Sequence, residues 1–381
     1  MRIVQLANFY MPRSGGLRTC LDEVGRRYGE LGHERVLLVP GDHDLDQHTP
    51  AGRRISVRSP VLPSTGGYRV LVARRRVLDL IDQLRPDALE VSDKIVLGWL
   101  APWARQHGVP LLLFSHERTD AALAAATPRW LPTAPASVWC TRRISRLVGD
   151  VVVASRYAAA EFDGRPGVRT QIVPLGVDLD MFRPDRERRV HPGQTVQLAV
   201  VGRLSREKRT GSAIGAIRIL ADRGTPATLV VIGDGPRRRS LERAAAGLPV
   251  RFLGHLPDRR AVARLVAGAD VVLAPGPVET FGLAVLESLA CGTPVVVPAA
   301  GAAPELVAGS GGGVVTDGTA TGMAEGVLEL LHRPAGQRRD AARARAETYP
   351  WSATVAGLLA AHTAAAAPRH HLYGASGGAG D

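Results

Sequence analysis

The chain has 381 residues, a length that two hydrophobic cores explain better than one. Its 48 lysine and arginine residues outnumber its 36 aspartate and glutamate residues, and the formal net charge of +12 favours an acidic partner such as nucleic acid, anionic lipid or a phosphorylated substrate. Aromatic residues make up only 4% of the chain, without zinc-finger spacing or an aromatic-rich RNA-binding motif, so we do not expect nucleic acid to be the partner.

The N-terminal residues and the cysteine spacing indicate the cellular compartment of the protein. Residues 1–7 predict a first β-strand rather than a signal peptide, because the apolar stretch is short and runs into polar residues. Cys20, Cys140 and Cys291 are scattered without a CxxC pair, which favours a reducing compartment. No apolar run reaches the ~18 residues that a membrane span requires. We therefore expect a cytoplasmic protein whose membrane contact, if any, is peripheral at the inner face of the plasma membrane.

Short apolar strands alternate with helical stretches at residues 3–6, 36–39, 88–91, 111–114, 151–154 and 172–173. This alternation is typical of a doubly wound parallel sheet. The stretch 174–194 is rich in proline, arginine and aspartate and lacks periodicity, which indicates a linker. The alternation restarts at residues 198–201, 229–232, 251–253, 271–274 and 295–297. Residues from 364 onward are rich in alanine and glycine, and we expect them to be disordered.

Two Rossmann-like domains joined by one linker place a cleft between the carboxyl ends of their strands, where α/β folds bind ligands. Gly15 and Gly16 follow the first strand and precede a helix predicted over residues 17–31, so backbone amides and a helix N-terminus face this cleft. An ordinary flexible loop explains the same glycines. His116 follows the strand 111–114, where it could orient a sugar hydroxyl or donate to phosphate; a hydrogen-bonded structural histidine fits equally well.

Two arginine-rich stretches of the first half could rest on anionic lipid. Apolar side chains recur at helical spacing over residues 68–84, beside the arginines at 74–76. A second candidate anchor contains Arg129, Trp130, Leu131, Trp139, Arg142 and Arg143. The alternative is a helix that packs on the sheet and keeps a solvated arginine face.

A basic loop opens the second domain at residues 202–209, directly after its first predicted strand. Arg203 offers a planar fork of donors and Lys208 a compact charge, and together they could stabilise the negative charge of a departing nucleoside diphosphate. A solvated run of charge is the alternative. The predicted position opposite Glu279 favours the functional interpretation.

Glu279 and Glu287 bracket a predicted strand-to-helix junction. We expect the helix to begin near Phe281 with free amides and the positive end of its dipole exposed, and Gly282 lets the backbone approach a ligand. Two carboxylates that accept from hydroxyl groups would then flank a phosphate site, as a bound sugar nucleotide requires. For either glutamate alone, a helix cap or a solvated carboxylate is the simpler explanation.

Several familiar motifs are incomplete. The chain lacks GxxxxGK[ST], which excludes a P-loop ATPase or kinase, and HExxH fails because residue 120 is aspartate. Residues 233–235 form only half of a dinucleotide-binding fingerprint. The DxD patterns at 44–46 and 178–180 lie in turn-rich connections, so we interpret them as turns rather than metal ligands.

Together these residues resemble the retaining glycosyltransferases of family 4, which have the GT-B fold, over nearly the whole chain. The matching pieces are Gly15-Gly16, His116, residues 173–178, Gly202-Arg203, Glu207-Lys208, the Glu279-x-Phe-Gly-x4-Glu287 motif and Trp351. Within the family the chain is most similar to actinobacterial mannosyltransferases that add α-1,6-mannose from GDP-mannose to phosphatidylinositol dimannoside. That similarity runs through residues 5–10, 13–18, 85–93 and 115–118.

The resemblance implies a catalytic set and a donor site. The implied catalytic residues are His116, Arg203, Lys208 and Glu279. The implied donor-binding residues are Gly15, Gly16, Arg203, Lys208, His255, Glu279, Phe281, Gly282, Leu283 and Glu287. In this arrangement Arg203 and Lys208 hold the donor diphosphate, and Glu287 takes the ribose hydroxyls.

The same resemblance assigns the remaining positions. Glu279 and the amides of residues 281–283 would hold the sugar and a phosphate, and Gly16 would pack against the diphosphate. His116 would line the sugar near the reaction centre, while the segment around His255 would border the base. The implied acceptor contacts are Arg18, Asp93 and Arg118.

The implied fold is α/β, with two Rossmann-like domains facing across a cleft and a C-terminal helix that crosses back to the first domain. The expected boundaries are an acceptor-binding domain at 1–175, a linker at 176–194, a nucleotide-sugar domain at 195–350, the crossover helix at 351–366 and a disordered tail at 367–381. The reaction would proceed with retention, with a donor phosphate oxygen taking the proton of the acceptor, and without a metal or other cofactor.

The expected partners are a nucleotide sugar, a glycolipid acceptor such as a phosphatidylinositol mannoside, and an anionic membrane surface. The sequence leaves three alternatives open: a UDP-sugar-dependent transferase acting on a small secondary metabolite, an epimerase or phosphorylase of the same fold, and a basic nucleic-acid-binding protein. The last of these predicts tight, salt-sensitive DNA binding.

Overall fold

The strands form two sheets in the computed structural model, which describes residues 1–11, 15–62, 67–126, 133–185 and 195–367. In the first sheet the strand order is β3-β4-β2-β1-β5-β6-β7-β8. Its strands are β1 (Arg2–Leu6), β2 (Glu34–Gly41), β3 (Leu45–Thr49), β4 (Gly52–Arg58), β5 (Ala88–Val91), β6 (Leu111–Ser115), β7 (Asp150–Val153) and β8 (Arg169–Ile172). The helices that accompany it are α1 (Gly16–Glu30), α2 (Arg74–Leu84), α3 (Leu97–Gln106), α4 (Thr119–Ala126), α5 (Ala134–Ser145) and α6 (Arg156–Ala159).

The second sheet has the order β11-β10-β9-β12-β13-β14, with parallel pairing between neighbours. Its strands are β9 (Val196–Val201), β10 (Ala227–Ile232), β11 (Val250–Gly254), β12 (Val271–Leu273), β13 (Val295–Pro298) and β14 (Gly313–Thr316). The remaining helices are α7 (Thr210–Asp222), α8 (Arg238–Ala244), α9 (Arg259–Ala267), α10 (Leu283–Ala290), α11 (Ala303–Val307), α12 (Ala320–His332), α13 (Ala335–Glu347) and α14 (Trp351–Ala366).

The central strands are mostly apolar because helices cover both faces of each sheet. All four residues of β5, β7 and β13 are buried, as expected for parallel strands without a solvent-facing side. A continuous apolar cluster runs from Phe114 on β6 through Trp351 to Leu286 and Leu289 on α10. The two domains and α14 therefore share one buried apolar surface.

The helix α14 returns to the first domain and packs against α1, β6 and β7. A glycine is needed at residue 357, since a Cβ there would lie 2.8 Å from a methyl group of Val173. Near the end of the helix, His362 Nε2 lies 3.1 Å from Glu90 Oε2, and both side chains are buried. The predicted fold class, including the returning helix, is confirmed.

The structure differs from the predicted elements in several places. The hairpin β3–β4 and the edge strand β14 were not predicted, because their short, polar or glycine-containing sequences lack a clear apolar run. The helix predicted over 68–84 begins only at Arg74, since Arg69 instead forms an antiparallel bridge with Val61. The predicted disorder from residue 364 is wrong for 364–366, which belong to α14. The domain boundaries stay predictions, and residues 186–194 of the linker and 368–381 of the tail lie outside the described residues.

Candidate functional site

The candidate site lies where the carboxyl ends of both sheets face each other. The loop after β12, residues 276–282, is here called the donor loop; it reaches the first domain, and Thr280 Oγ1 donates to the carbonyl oxygen of His116 at 2.7 Å. A Cβ built on Gly16 would lie 3.3 Å from Leu283 Cδ1. Since these residues follow β1, β6 and β12, the loops predicted to carry the chemistry do meet in one cleft.

Two helix N-termini converge in this cleft. Gly16 is the first residue of α1, and Leu283 is the first residue of α10. Gly282 precedes α10 with φ +100°, a left-handed conformation that favours glycine, and for this reason the helix begins two residues later than the predicted Phe281. Free amides and the positive ends of two dipoles therefore point to the same space, an arrangement that suits an anion.

Lys208 and Glu279 form an ion pair beside these termini. Both side chains are about one-third exposed or less, at 33% and 27%, so a ligand can reach them. Gly276 lets the donor loop pack closely on Lys208. A Cβ at residue 276 would lie 3.3 Å from Lys208 Cα, which is a tight contact. The structure thus joins two predicted site residues that are 71 positions apart in sequence.

Glu287 is more enclosed than Glu279, with a side chain that is 16% exposed. Burial raises its pKa, and the neighbouring Arg259 guanidinium opposes that shift. Arg259 donates through Nη2 to Glu287 Oε1 at 2.6 Å and through Nη1 to Thr19 Oγ1 at 2.5 Å. The pair lines a cavity of about 50 Å³ with residues of α1, the linker and α14, among them Glu23, Asp178 and Trp351.

Arg259 was not predicted from the sequence. It is the first residue of α9 and lies over the ring of Phe182 at 5.2 Å, so its guanidinium bridges α9, α10 and α1. The sequence offers one signal nearby, Asp258, which is the N-cap residue of α9 and accepts from the amide of Arg260. That pattern locates the helix start but does not reveal the partner of the arginine.

His116, directly after β6, has a buried ring nitrogen. Its Nε2 has no hydrogen-bond partner among the described residues, and its ring lies against Phe114 with a centroid distance of 4.2 Å. Burial lowers the pKa of His116 to about 4, so the imidazole is neutral at pH 7. An unpaired buried nitrogen is costly in a folded protein, so this atom is available for a hydrogen bond with a ligand or a water molecule.

The other predicted donor residues lie after strands or at the start of helices. Arg203 follows β9 with an exposed side chain, and its guanidinium carbon lies 5.8 Å from the ring centroid of Tyr68 in the first domain. His255 is exposed directly after β11. Gly15 precedes α1 and has no atom within 4 Å of an added Cβ, so space remains open there. The side chain of Phe281 is buried and packs edge-on against Tyr349, which leaves its backbone as the group that can face a ligand.

The predicted acceptor residues all have protein partners. Asp93 is buried and accepts from the amide and side chain of Asn8, both at 2.9 Å, which fixes the loop after β1; burial raises its pKa. Arg118 forms a two-point ion pair with Asp120, at 3.0 and 2.7 Å. Arg18 lies 3.3 Å from Asp22. These three contacts organise the first-domain side of the cleft.

The two DxD patterns differ in the contacts of their aspartates. Asp178 accepts from the amides of Asp180 and Met181 at 3.1 and 2.9 Å, as a turn predicts. Asp46 instead lies on β3 and pairs with Arg53, so the turn interpretation is wrong for that residue. Within the described ranges no group of three or more histidine, cysteine or acidic side chains could hold a metal ion.

The two arginine-rich stretches have different surroundings. Val77, Ile81 and Leu84 of α2 are buried in the core, so the alternative of a helix packed on the sheet describes α2. On α5, in contrast, Trp139 is 62% and Val138 40% exposed, beside exposed arginines at 142 and 143. Residues 129–131 lie outside the described part of the chain. None of the helices in that part is long and apolar enough to cross a membrane.

Comparisons with known proteins agree with this geometry. The family model "Glycosyltransferase Family 4" matches residues 14–181, and "Glycosyl transferases group 1" matches residues 181–348. The chain is 44% identical to a GDP-mannose-dependent alpha-(1-6)-phosphatidylinositol dimannoside mannosyltransferase of Mycobacterium tuberculosis, over 94% of this chain and 95% of that one. It is 30% identical to the corresponding monomannoside mannosyltransferase of that organism, over 87% and 89%. Sucrose-phosphate synthase from Thermosynechococcus elongatus shares the fold with a TM-score of 0.81 at 20% identity, covering 96% of this chain and 100% of that chain.

Proposed function

The chain belongs to glycosyltransferase family 4, and from that premise we propose that it transfers mannose from GDP-mannose to a phosphatidylinositol mannoside or a similar glycolipid. The resemblance inferred from the sequence is confirmed, and the chain is a glycosyltransferase. The observation that carries the proposal is the convergence of the α1 and α10 N-termini beside the Lys208–Glu279 pair. This is a site for a diphosphate attached to a sugar.

The donor is held by groups with separate tasks. Its diphosphate lies on the amides of the two helix N-termini, with Arg203 and Lys208 supplying positive charge. Glu279 accepts from sugar hydroxyl groups, and Lys208 turns from this carboxylate to the phosphate when the donor enters. Glu287 accepts from the ribose, and the segment around His255 borders the base. Because these cations offset the charge of the leaving group, we propose that no resident metal is needed.

The transfer retains the configuration of the anomeric carbon. The bond from that carbon to the diphosphate oxygen breaks, the acceptor hydroxyl oxygen bonds to the same face, and a phosphate oxygen takes the acceptor proton. The amides and cations stabilise the charge that develops on the departing diphosphate. His116 is neutral, and its free Nε2 forms a hydrogen bond with a donor sugar hydroxyl rather than exchanging a proton.

A lipid acceptor requires access from a membrane surface. We propose peripheral contact through α5, where exposed Val138 and Trp139 stand beside arginines 142 and 143. Apolar and aromatic side chains flanked by arginine suit the headgroup region of an anionic membrane. Vesicle co-sedimentation should then favour anionic over neutral lipid, and equal partitioning would contradict this contact.

A thermal-shift panel of GDP-, UDP- and ADP-sugars tests the donor assignment, followed by mass spectrometry of products formed with phosphatidylinositol dimannoside. GDP-mannose should raise the melting temperature most and yield one added hexose, because a ligand that binds only the folded state stabilises it. A response to UDP-sugars alone, with transfer to a small acceptor and none to lipid, would contradict the proposal. Donor turnover without any acceptor would instead indicate an epimerase.

A further inference from the structure

The donor loop is hydrogen-bonded to the first domain on both sides of one residue. Thr280 Oγ1 donates to the carbonyl oxygen of His116 at 2.7 Å, and Ser155 Oγ donates to the carbonyl oxygen of Thr280 at 2.7 Å. His116 follows β6 and Ser155 follows β7, which are adjacent strands of the first sheet. A single threonine of the second domain therefore connects two loops of the first.

A carboxylate from the second domain reinforces this contact. Glu305, in the first turn of α11, accepts from the amides of Arg156 and Tyr157 at 3.0 and 2.8 Å. The side chain of Ser155 accepts from the amide of Ala158 at 3.0 Å. The amides at the start of α6 have no partner within the helix, and they donate to one side chain from each domain, Glu305 and Ser155. We call the contacts made by Thr280, Ser155 and Glu305 the interdomain clasp.

The clasp is supported from behind. The amide of Ala302 donates to the carbonyl oxygen of Glu279 at 2.8 Å, so the segment that leads to Glu305 also holds the donor loop. Arg345 donates to the backbone oxygens of Glu305 and Leu306 at 2.7 and 2.8 Å. The two clasp residues of the second domain, Thr280 and Glu305, therefore lie in segments that further hydrogen bonds hold in place.

We propose that Thr280 is a positioning residue, which together with Ser155 and Glu305 closes the cleft and sets His116 against the donor loop. The inference rests on the proposed function, in which the sugar lies between Glu279 and His116. These two residues belong to different domains. Thr280 directly follows Glu279 in the chain, and its hydroxyl donates to the backbone of His116. A displacement of about 1 Å between groups that hold a reacting sugar can cost on the order of a hundredfold in rate.

The test compares Thr280→Val, which removes the hydroxyl at nearly constant size, with Thr280→Ser, which keeps it. With GDP-mannose and phosphatidylinositol dimannoside, we expect kcat of Thr280→Val to fall about tenfold or more, because His116 and the donor loop are then less well aligned on the reacting sugar. Donor affinity from calorimetry should change by less than about threefold, since the hydroxyl of Thr280 bonds to the protein rather than to the donor. Thr280→Ser should recover kcat to within roughly threefold of wild type.

Three results would overturn the positioning role: Thr280→Val with wild-type kcat, Thr280→Ser as impaired as Thr280→Val, or parallel losses of kcat, donor affinity and melting temperature. If the wild-type protein transfers mannose and Thr280→Val matches it, this inference alone fails. If the wild-type protein binds no sugar nucleotide, the proposed function fails and the positioning role fails with it.

Hydrogen exchange tests the clasp without any substrate. Glu305→Gln keeps the size of the side chain but removes its charge, so the amides of Arg156 and Tyr157 should exchange about tenfold faster. Unchanged exchange at both amides would contradict the clasp whatever the donor proves to be.

Discussion

Lys208 and Glu279 show how two site residues that are distant in sequence form an ion pair in the folded protein. The sequence offered each as a member of a separate motif, and the structure pairs them in one cleft. Motifs supplied candidate residues such as Arg203 and Glu287, whose roles stay predictions. Arg259 could not be predicted, because its partners Thr19 and Glu287 lie 240 and 28 positions away and only the folded chain brings them together.

His116 provides a prediction at the residue scale, through acid stability. Its pKa is lowered from 6.5 to about 4 in the folded protein, so between these values the unfolded chain binds more protons than the folded one. Stability should therefore fall as pH decreases through this window. His116→Gln removes the titrating group and should show a weaker loss of melting temperature between pH 6.5 and 4, followed by circular dichroism. Parallel curves for the two proteins would contradict the buried neutral imidazole.

At the scale of elements, most parallel strands could be predicted from the sequence, whereas the edge strand β3 and the exact start of α10 could not. Strands such as β12 and β13 are buried on both faces, and their sequences are continuous apolar runs. The edge strand β3, with the sequence LDQHT, has little burial and no such run. The start of α10 depends on the left-handed backbone of Gly282, a property that the sequence permits but does not require.

The convergence of α1 and α10 predicts the effect of added bulk at Gly16. A Cβ there would already approach Leu283 Cδ1 to 3.3 Å, so Gly16→Val should fill the space between the helix termini and exclude the diphosphate. We expect GDP-mannose affinity to fall by about tenfold or more, measured by calorimetry.

Gly29→Val is the matched control for this prediction. It places the same side chain in the same helix at an exposed position with nothing within 4 Å of the added Cβ. It should leave donor affinity unchanged. Equal affinity of Gly16→Val and Gly29→Val would show that the diphosphate does not lie between the two helices.

At the scale of the whole molecule, α14 ties the end of the chain to the first domain. His362 Nε2 lies 3.1 Å from the buried carboxylate of Glu90, which also accepts from Gln5 Nε2 at 2.8 Å and from Tyr28 at 3.3 Å. His362→Leu removes one of these donors and leaves the carboxylate buried, so we expect a loss of about 2 kcal/mol in the free energy of unfolding.

Urea unfolding measures this loss, with Thr363→Ala as the control. Thr363 is exposed on the same turn and donates only to the backbone of its own helix, to Leu359, so its removal should change stability little. If His362→Leu and Thr363→Ala unfold at the same urea concentration, the buried pair does not hold α14 in place.

The most direct measurement is mannose transfer from GDP-mannose to phosphatidylinositol dimannoside, followed by mass spectrometry for wild type, Lys208→Ala and Glu287→Ala. The donor site predicts one added hexose for wild type. It predicts a loss of turnover of at least about a hundredfold in each variant, since Lys208→Ala removes a cation beside the diphosphate and Glu287→Ala removes the acceptor of the ribose hydroxyls, with the fold retained by circular dichroism. Near-normal turnover in both variants, or a wild-type protein that transfers only from other nucleotide sugars, would contradict the account.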